Sequence, residues 1–342
     1  MLAAEQYPLL KPVVALVGPT AVGKSAVGLR LAQALGTEVL AADSRQVYRG
    51  MDIGTDKPMA EDLRAVPHRL IDLVEPDQAF NVGLYRQHAA GEIDRLHHQG
   101  KLPLVVGGTG LYIRGLLRGL CEGPPADWAM RARLEEEALA QGASSLHRRL
   151  AEVDPAAAER LHPHDRVKII RALEVHAQMG RTLSGIHGTH RFAESPYTSL
   201  AVGLLRERGE LYRRIEERVD SMLARGLREE TQRLLDQGYG RHLSAMRGVG
   251  YKQMAGYLLG DYDYAEAVRR LKRDTRRFAK RQLTWFRAEP EIRWVTIASG
   301  EPVEQVAARM LALIDDFLGR LEREPKRTSS GTGCSPVGVR VR

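Results

Sequence analysis

Gly18-Pro19-Thr20-Ala21-Val22-Gly23-Lys24-Ser25 fits the phosphate-loop pattern G-x-x-x-x-G-K-[ST] at every constrained position. The flanks suit it: Val13 to Val17 is an apolar run fit for a buried strand, and Ala26 to Leu35 reads as a helix stopped by Gly36. A strand feeding a helix through such a loop turns successive backbone N–H groups inward and aims the positive end of the helix at the same point. The result is an anion cradle. Gly18 and Gly23 let the backbone turn close to a ligand, Lys24 offers a charge to the terminal phosphate, and Ser25 offers its hydroxyl to Mg2+.

Outward from the loop, strand-like runs follow at Val39 to Ala42, Leu70 to Val74 and Leu102 to Val106, with helix-like stretches between most of them. That rhythm predicts an α/β fold with a parallel sheet. Polar residues follow three of the four runs: the phosphate loop, then Asp43-Ser44-Arg45-Gln46, then Gly107-Gly108-Thr109-Gly110. Ligands of open α/β sheets bind at such strand ends. After the break at Glu122-Gly123-Pro124-Pro125 the texture becomes helical: Trp128 to Ala140, Ala143 to Leu150, and a stretch from Asp154-Pro155 through His176. Residues 181–198 read as a polar loop. The expected organisation is therefore a core of residues 1–120 and 199–324, interrupted by an all-helical insertion, 121–198. Within the second core segment, Ser199 to Leu205 and Trp294 to Ile297 read as strands, Glu210 to Gln237, Ala265 to Arg287 and Pro302 to Leu321 as helices. The tail 325–342, rich in Ser, Gly and Thr, is expected to be disordered, and it carries Lys326, Arg327, Arg340 and Arg342.

A chain of 342 residues with a formal charge of +8 favours an anionic partner. Two distant cysteines, Cys121 and Cys334, supply neither a disulfide framework nor a zinc site, and the histidines lack partner ligands at usual spacings. With no signal peptide and no apolar run long enough for a membrane span, a cytoplasmic protein is expected. The charge is concentrated. Between Arg269 and Arg287 nine basic residues face one acid, Asp274, and Arg269, Arg273, Arg276 and Lys280 follow one helical face. Charge runs are usually solvated faces, but those are normally mixed in sign, so the stripe is expected to track a nucleic-acid phosphate backbone. Asp43 has three readings: a magnesium carboxylate, a general base, or a cap on the next element. Ser44, Arg45 and Gln46 beside it carry groups that read bases and phosphates.

Six motifs in this order resemble those of the tRNA dimethylallyltransferases, or tRNA isopentenyltransferases, of the bacterial type: GPTAVGKS at Gly18 to Ser25, DSRQVYRGMDIGTDKP at Asp43 to Pro58, GGTGLY at Gly107 to Tyr112, VKIIRALEV at Val167 to Val175, RGVGYKQM at Arg247 to Met254, and KRQLTWFR at Lys280 to Arg287. The resemblance runs from about Pro12 to about Phe317. It implies a P-loop NTPase-like core with the helical insertion, and transfer of a dimethylallyl group from dimethylallyl diphosphate to N6 of adenine 37 in the anticodon stem-loop of tRNA. By the same resemblance Gly18, Thr20, Ala21, Val22, Gly23, Lys24 and Ser25 would hold the diphosphate with Mg2+. Arg218 is the candidate for a further diphosphate contact and Arg214 its rival. Asp43 would take the proton from N6, and Thr109 would contact the substrate near the reacting base. Contacts to tRNA would come from four stretches: Asp43, Ser44, Arg45 and Gln46; Val167, Lys168, Ile169, Ile170 and Arg171; Arg247, Gly248, Val249, Gly250, Tyr251 and Lys252; and Lys280, Arg281, Gln282, Leu283, Thr284, Trp285, Phe286 and Arg287. Arg131 resembles a further contact. The fourth residue of GGTGLY is Gly110, where some relatives carry a bulkier side chain. A monomer is expected. The rivals are an adenylate isopentenyltransferase, a small-molecule kinase with a helical lid, and a non-catalytic RNA-binding module.

Overall fold

The computed structural model describes residues 11–120, 123–190 and 196–323; Cys121, Cys334 and the tail from 325 lie outside them. Six strands form one sheet, β1 (Pro12–Val17), β2 (Val39–Ala42), β3 (His68–Arg69), β4 (Leu104–Gly107), β5 (Thr198–Leu205) and β6 (Arg293–Thr296), in the order β3-β2-β4-β1-β5-β6 with every pair parallel. All strand ends of one kind therefore lie on one edge, the condition for a shared ligand cleft.

The strands alternate between two buried faces, which is why they read as near-continuous apolar runs. Val14 and Leu16 of β1 join Leu204, Val27 and Leu31, while Val13, Ala15 and Val17 join Tyr85, Ile93 and Leu116 on the other face. The first face is covered by α1 (Lys24–Leu35) together with later helices. The second is covered, beyond the short α2 (Ala60–Ala65), by α3 (Val82–His98) and α4 (Gly110–Arg118). The chain then builds α5 (Trp128–Gln141), α6 (Ala143–Val153), α7 (Pro155–Arg160), α8 (Arg166–Met179) and α9 (Leu183–His190) around an apolar cluster of their own, with Leu134, Leu146, Leu150, Ile169 and Leu173 at its centre. After β5 come α10 (Arg208–Ala224), α11 (Leu227–Asp236), a 3-10 turn (Ala245–Arg247), α12 (Tyr251–Leu258), α13 (Tyr264–Arg287) and, after β6, α14 (Val303–Arg323). No helix among the described residues is long and apolar enough to cross a membrane.

Four sequence expectations need correction. The third strand is His68–Arg69, not 70–74, because Leu70 and Asp72 take φ values of 67° and 54° and turn the chain out of the sheet. Val74 makes only an isolated bridge to Tyr48. The run 210–237 is two helices, broken at Gly226 with φ 96°. The stretch from 154 through 176 divides between α7 and α8, where Asp165 caps the second helix by accepting from the Lys168 N–H. Within 181–198, α9 forms where a loop was expected, and the Ser184 hydroxyl and N–H both donate to the buried Asp154 carboxylate.

The helical cluster is pinned by one carboxylate. Glu174 is fully buried and accepts from Arg131 Nε at 2.8 Å, Arg131 Nη2 at 2.7 Å, the Asp127 N–H at 2.7 Å, and Arg171. Burial alone raises a carboxyl pKa; here the hydrogen bonds from Arg131 and Arg171 win and hold Glu174 below the ordinary carboxylate range. Its contribution to stability is therefore complete above the unfolded value of about 4.3 and is lost as pH falls through the depressed native value. Glu174→Ala removes the shared acceptor of the Asp127 N–H and of Arg131 and Arg171, whose side chains are 30% and 33% exposed, and should cost about 2 kcal/mol near neutral pH. Urea melts of variant and wild type should differ by that amount at neutral pH and converge in acid. A constant difference across pH would contradict the ion-pair account.

Candidate active site

At the carboxyl edge of the sheet a cleft of about 310 Å³ is lined by Thr20 of the β1–α1 loop, Lys24 and Ser25 at the start of α1, Asp43 to Gln46 after β2, Gly107 at the end of β4, Gly108 after it, and Arg218 from α10. The β1–α1 loop is held with its carbonyls outward: Arg206 Nε donates to the Val22 carbonyl at 2.9 Å and Arg214 Nε to that of Ala21 at 3.0 Å. The turn needs φ of 145° at Gly18, 63° at Ala21 and 112° at Gly23. No side chain caps the start of α1, so the N–H groups of Lys24 and Ser25 have no protein acceptor among the described residues. These are free donors at the positive end of a helix.

The Lys24 ammonium rests on the Pro19 carbonyl at 2.7 Å. Burial pushes its pKa down to about 7 and Arg218 adds to the shift, against Asp43 and Asp56, which raise it. Arg218 is fixed by an ion pair to Asp56 at 2.9 Å, shared with Arg225 at 3.3 Å. The loop bearing Asp56 is anchored by Glu230, a buried carboxylate that accepts the N–H groups of Asp52, Ile53 and Gly54 at 3.0 to 3.1 Å and the Tyr251 hydroxyl at 2.5 Å. Arg206, Asp56 and Glu230 were not singled out from sequence. Arg206 follows β5 as Asp43 follows β2, which is a usable signal; Glu230 sits mid-helix and offers none.

Asp43 uses Oδ1 to accept the Arg45 N–H at 2.8 Å, and Oδ2 accepts from no protein donor among the described residues. Thr109 does not line the cleft; its hydroxyl accepts the Ser44 N–H at 3.0 Å and its own N–H donates to the Ala42 carbonyl at 3.1 Å, so it holds the segment carrying Asp43. Next to it, Gly110 opens α4 beneath the Trp285 ring: a Cβ there would lie 2.1 Å from Trp285 Cδ1. The Arg114 guanidinium covers that ring at 4.5 Å.

The residues expected to meet nucleic acid divide into four groups. Arg45, Gln46, Arg247, Gly248, Val249, Arg281 and Gln282 share the cleft with the phosphate loop. Arg45 Nη1 also donates to the Ser244 carbonyl at 2.6 Å, tying the segment after β2 to the 3-10 turn. Ile169, Ile170, Tyr251 and Phe286 are buried and Leu283 is half-buried against the sheet core, so these side chains face the interior, and Gly250 is buried beside Tyr251 in the chain. Val167, Lys168, Arg171 and Arg131 lie on the helical cluster away from the cleft. Val167 is 78% exposed, Lys168 is paired with Asp165 at 2.5 Å, and Arg131 lies over the Trp128 ring at 5.1 Å. Lys252, Thr284 and Trp285 are exposed around the site.

The basic stripe of α13 is more mixed in sign than its sequence suggests. Arg269 and Arg270 pair with Glu266, Lys272 with Asp220 at 2.7 Å, Arg273 with Asp274, and Arg276 with Glu216 at 2.7 Å. Helix α10 supplies two of those acids. Lys280, Arg281 and Arg287, at the end near the cleft, are exposed and have no acidic partner among the described residues. Replacing these three by alanine should weaken RNA binding and reduce its salt slope by about two. Replacing Arg273 and Arg276 should change the slope far less. Titrations at several salt concentrations measure both, and equal slopes for the two variants would contradict the division.

Comparison with known proteins places these features in context. The family model described as IPP transferase matches residues 46–289, and one described as isopentenyl transferase matches residues 11–75. A tRNA dimethylallyltransferase of Geobacter sulfurreducens is 54% identical over 282 residues, which cover 82% of this chain and 91% of the relative. One from Pelotomaculum thermopropionicum is 49% identical over 309 residues, covering 90% and 98%. Among solved structures, the tRNA isopentenylpyrophosphate transferase of Bacillus halodurans is 39% identical with a TM-score of 0.67, covering 91% of this chain and 99% of its own. A eukaryotic dimethylallyltransferase acting on tRNA, 23% identical, shares the fold with a TM-score of 0.76, covering 93% and 81%.

Proposed function

Because the chain belongs to the tRNA dimethylallyltransferase family, with its P-loop NTPase-like fold, and transfers a dimethylallyl group to tRNA, we propose that the group comes from dimethylallyl diphosphate, that the acceptor is N6 of adenine 37, and that the cleft is where the two meet. The observation that carries this reading is the presence of an uncapped phosphate cradle and the Asp43 carboxylate in one cleft.

The diphosphate lies against the Lys24 and Ser25 N–H groups, with the Lys24 ammonium and the Arg218 guanidinium beside it. An adenine amine is a weak nucleophile because its lone pair is delocalised into the ring. As N6 bonds to the allylic carbon, its proton passes to Asp43, the carbon–oxygen bond breaks, and the electron pair leaves on the diphosphate. The cradle therefore stabilises a leaving group and nothing is phosphorylated. Ser25, which lines the cleft at the start of α1, would hold Mg2+ through its hydroxyl, and the ion would add positive charge against the diphosphate. Reaching N6 requires the base to be splayed from the anticodon loop, which single-stranded RNA permits at low cost. Arg45, Arg247 and Arg281 surround its route of entry, and the helical insertion 121–198 holds the far side of the stem-loop. The enzyme acts as a monomer.

Incubation with labelled dimethylallyl diphosphate and either an anticodon stem-loop bearing adenine 37 or free AMP tests the reading. Label should enter the RNA. Label in AMP alone would assign the adenylate reaction instead, and label in neither would overturn transfer from this donor.

A further inference from the structure

Gln282 belongs to a motif expected to touch nucleic acid, yet its side chain is buried and both ends are engaged inside the site. Its Oε1 accepts the Thr20 N–H at 2.8 Å, and its Nε2 donates to the Gly108 carbonyl at 2.9 Å. The carboxamide lies in a slot that exists because residue 108 has no side chain: a Cβ there would sit 2.3 Å from Nε2. A group fixed at both ends in a close-fitting slot does not swing aside freely.

Thr20 occupies the third position of the phosphate loop and lines the cleft, so a free N–H there would be a donor within reach of a ligand. Here it is taken. The Val22 N–H is also turned away, onto the Pro19 carbonyl at 3.4 Å. Among the described residues the N–H groups of Ala21 and Gly23 in the loop, and those of Lys24 and Ser25 at the start of α1, have no acceptor. A diphosphate can be held there. A third phosphoryl group reaching back along the loop would meet the lone pairs of Gln282 Oε1 where it needs a donor, in a cleft that also holds the carboxylates of Asp43 and Asp56.

We infer that Gln282 determines the length of polyphosphate this loop accepts, by capping Thr20 so that two phosphates fit and a third is refused. The inference rests on the diphosphate reading of the cleft and deepens it. It explains how a loop of the nucleotide-triphosphate pattern can serve a diphosphate substrate without being occupied by nucleoside triphosphates.

The test is calorimetric titration of the full chain with inorganic diphosphate and inorganic triphosphate in one magnesium-containing buffer, comparing wild type, Gln282→Met and Gln282→Glu. Wild type should bind diphosphate more tightly than triphosphate. In Gln282→Met, which has the size of glutamine but no acceptor, the ratio of the two dissociation constants should narrow about tenfold, the scale of one charge-assisted hydrogen bond regained by the longer ligand. In Gln282→Glu, which sets a stronger acceptor against Thr20, the ratio should widen. A purely structural role would weaken both ligands together and leave the ratio unmoved in Gln282→Met, which would overturn the inference alone. Failure of wild type to bind either ligand would overturn the diphosphate reading and the inference with it. Should Gln282→Met fold poorly, Gln282→Ala, which likewise removes the acceptor without adding charge, decides by the same ratio.

Discussion

Asp43→Asn is expected to reduce turnover by about three orders of magnitude while leaving the affinity for an anticodon stem-loop within a factor of about two. The substitution is isosteric, so the geometry of the segment should survive: Asn Oδ1 can still accept the Arg45 N–H, and Thr109 still accepts from Ser44. What is lost is the ability to receive a proton from N6 while the new bond forms. The loss should therefore fall on the single-turnover rate, measured with enzyme in excess over RNA. A variant that binds the stem-loop poorly would make Asp43 a recognition residue, and one that turns over normally would remove the general base from the mechanism.

Lys24→Met should produce the second largest effect, a fall of about a hundredfold or more in the rate of bond breaking, because the charge nearest the departing diphosphate disappears. Burial and Arg218 both act against the ammonium. A diphosphate reverses that balance, and the charge is most strongly favoured when the leaving group carries its full negative charge. The variant should accordingly lose more in kcat than in affinity for the diphosphate. A change confined to affinity, with kcat retained, would mean that Lys24 contributes equally to substrate and transition state.

The parts of this site legible in the sequence were the local ones. A phosphate loop is eight consecutive residues, and Asp43 stands at the end of the next apolar run, so strand, loop and carboxylate could be placed without tertiary information. Pairing across long separations was invisible. The acids that neutralise Lys272 and Arg276 sit on α10, and the carboxylate that anchors the Asp52 to Gly54 backbone comes from α11. The apolar run Leu70 to Val74 misled for a related reason. Leu70 is buried, as a strand residue would be, but it packs from a turn. Burial and strand geometry leave the same trace in an apolar run this short. Gln282 misled through its company: it lies among exposed cations in the chain, and only the fold shows it facing inward.

The contact between Gly110 and Trp285 joins two motifs that lie far apart in the chain, at the foot of the segment that carries Thr109. A side chain at position 110 cannot be accommodated while the indole holds its place, so a substitution at either position is expected to depend on the other. A relative with a bulkier residue in the GGTGLY motif must have exchanged or tilted its partner on α13. The pair should drift through the family as one unit, and a chimera that takes α4 from one relative and α13 from another would inherit a collision beside Thr109 even though each half came from a working enzyme.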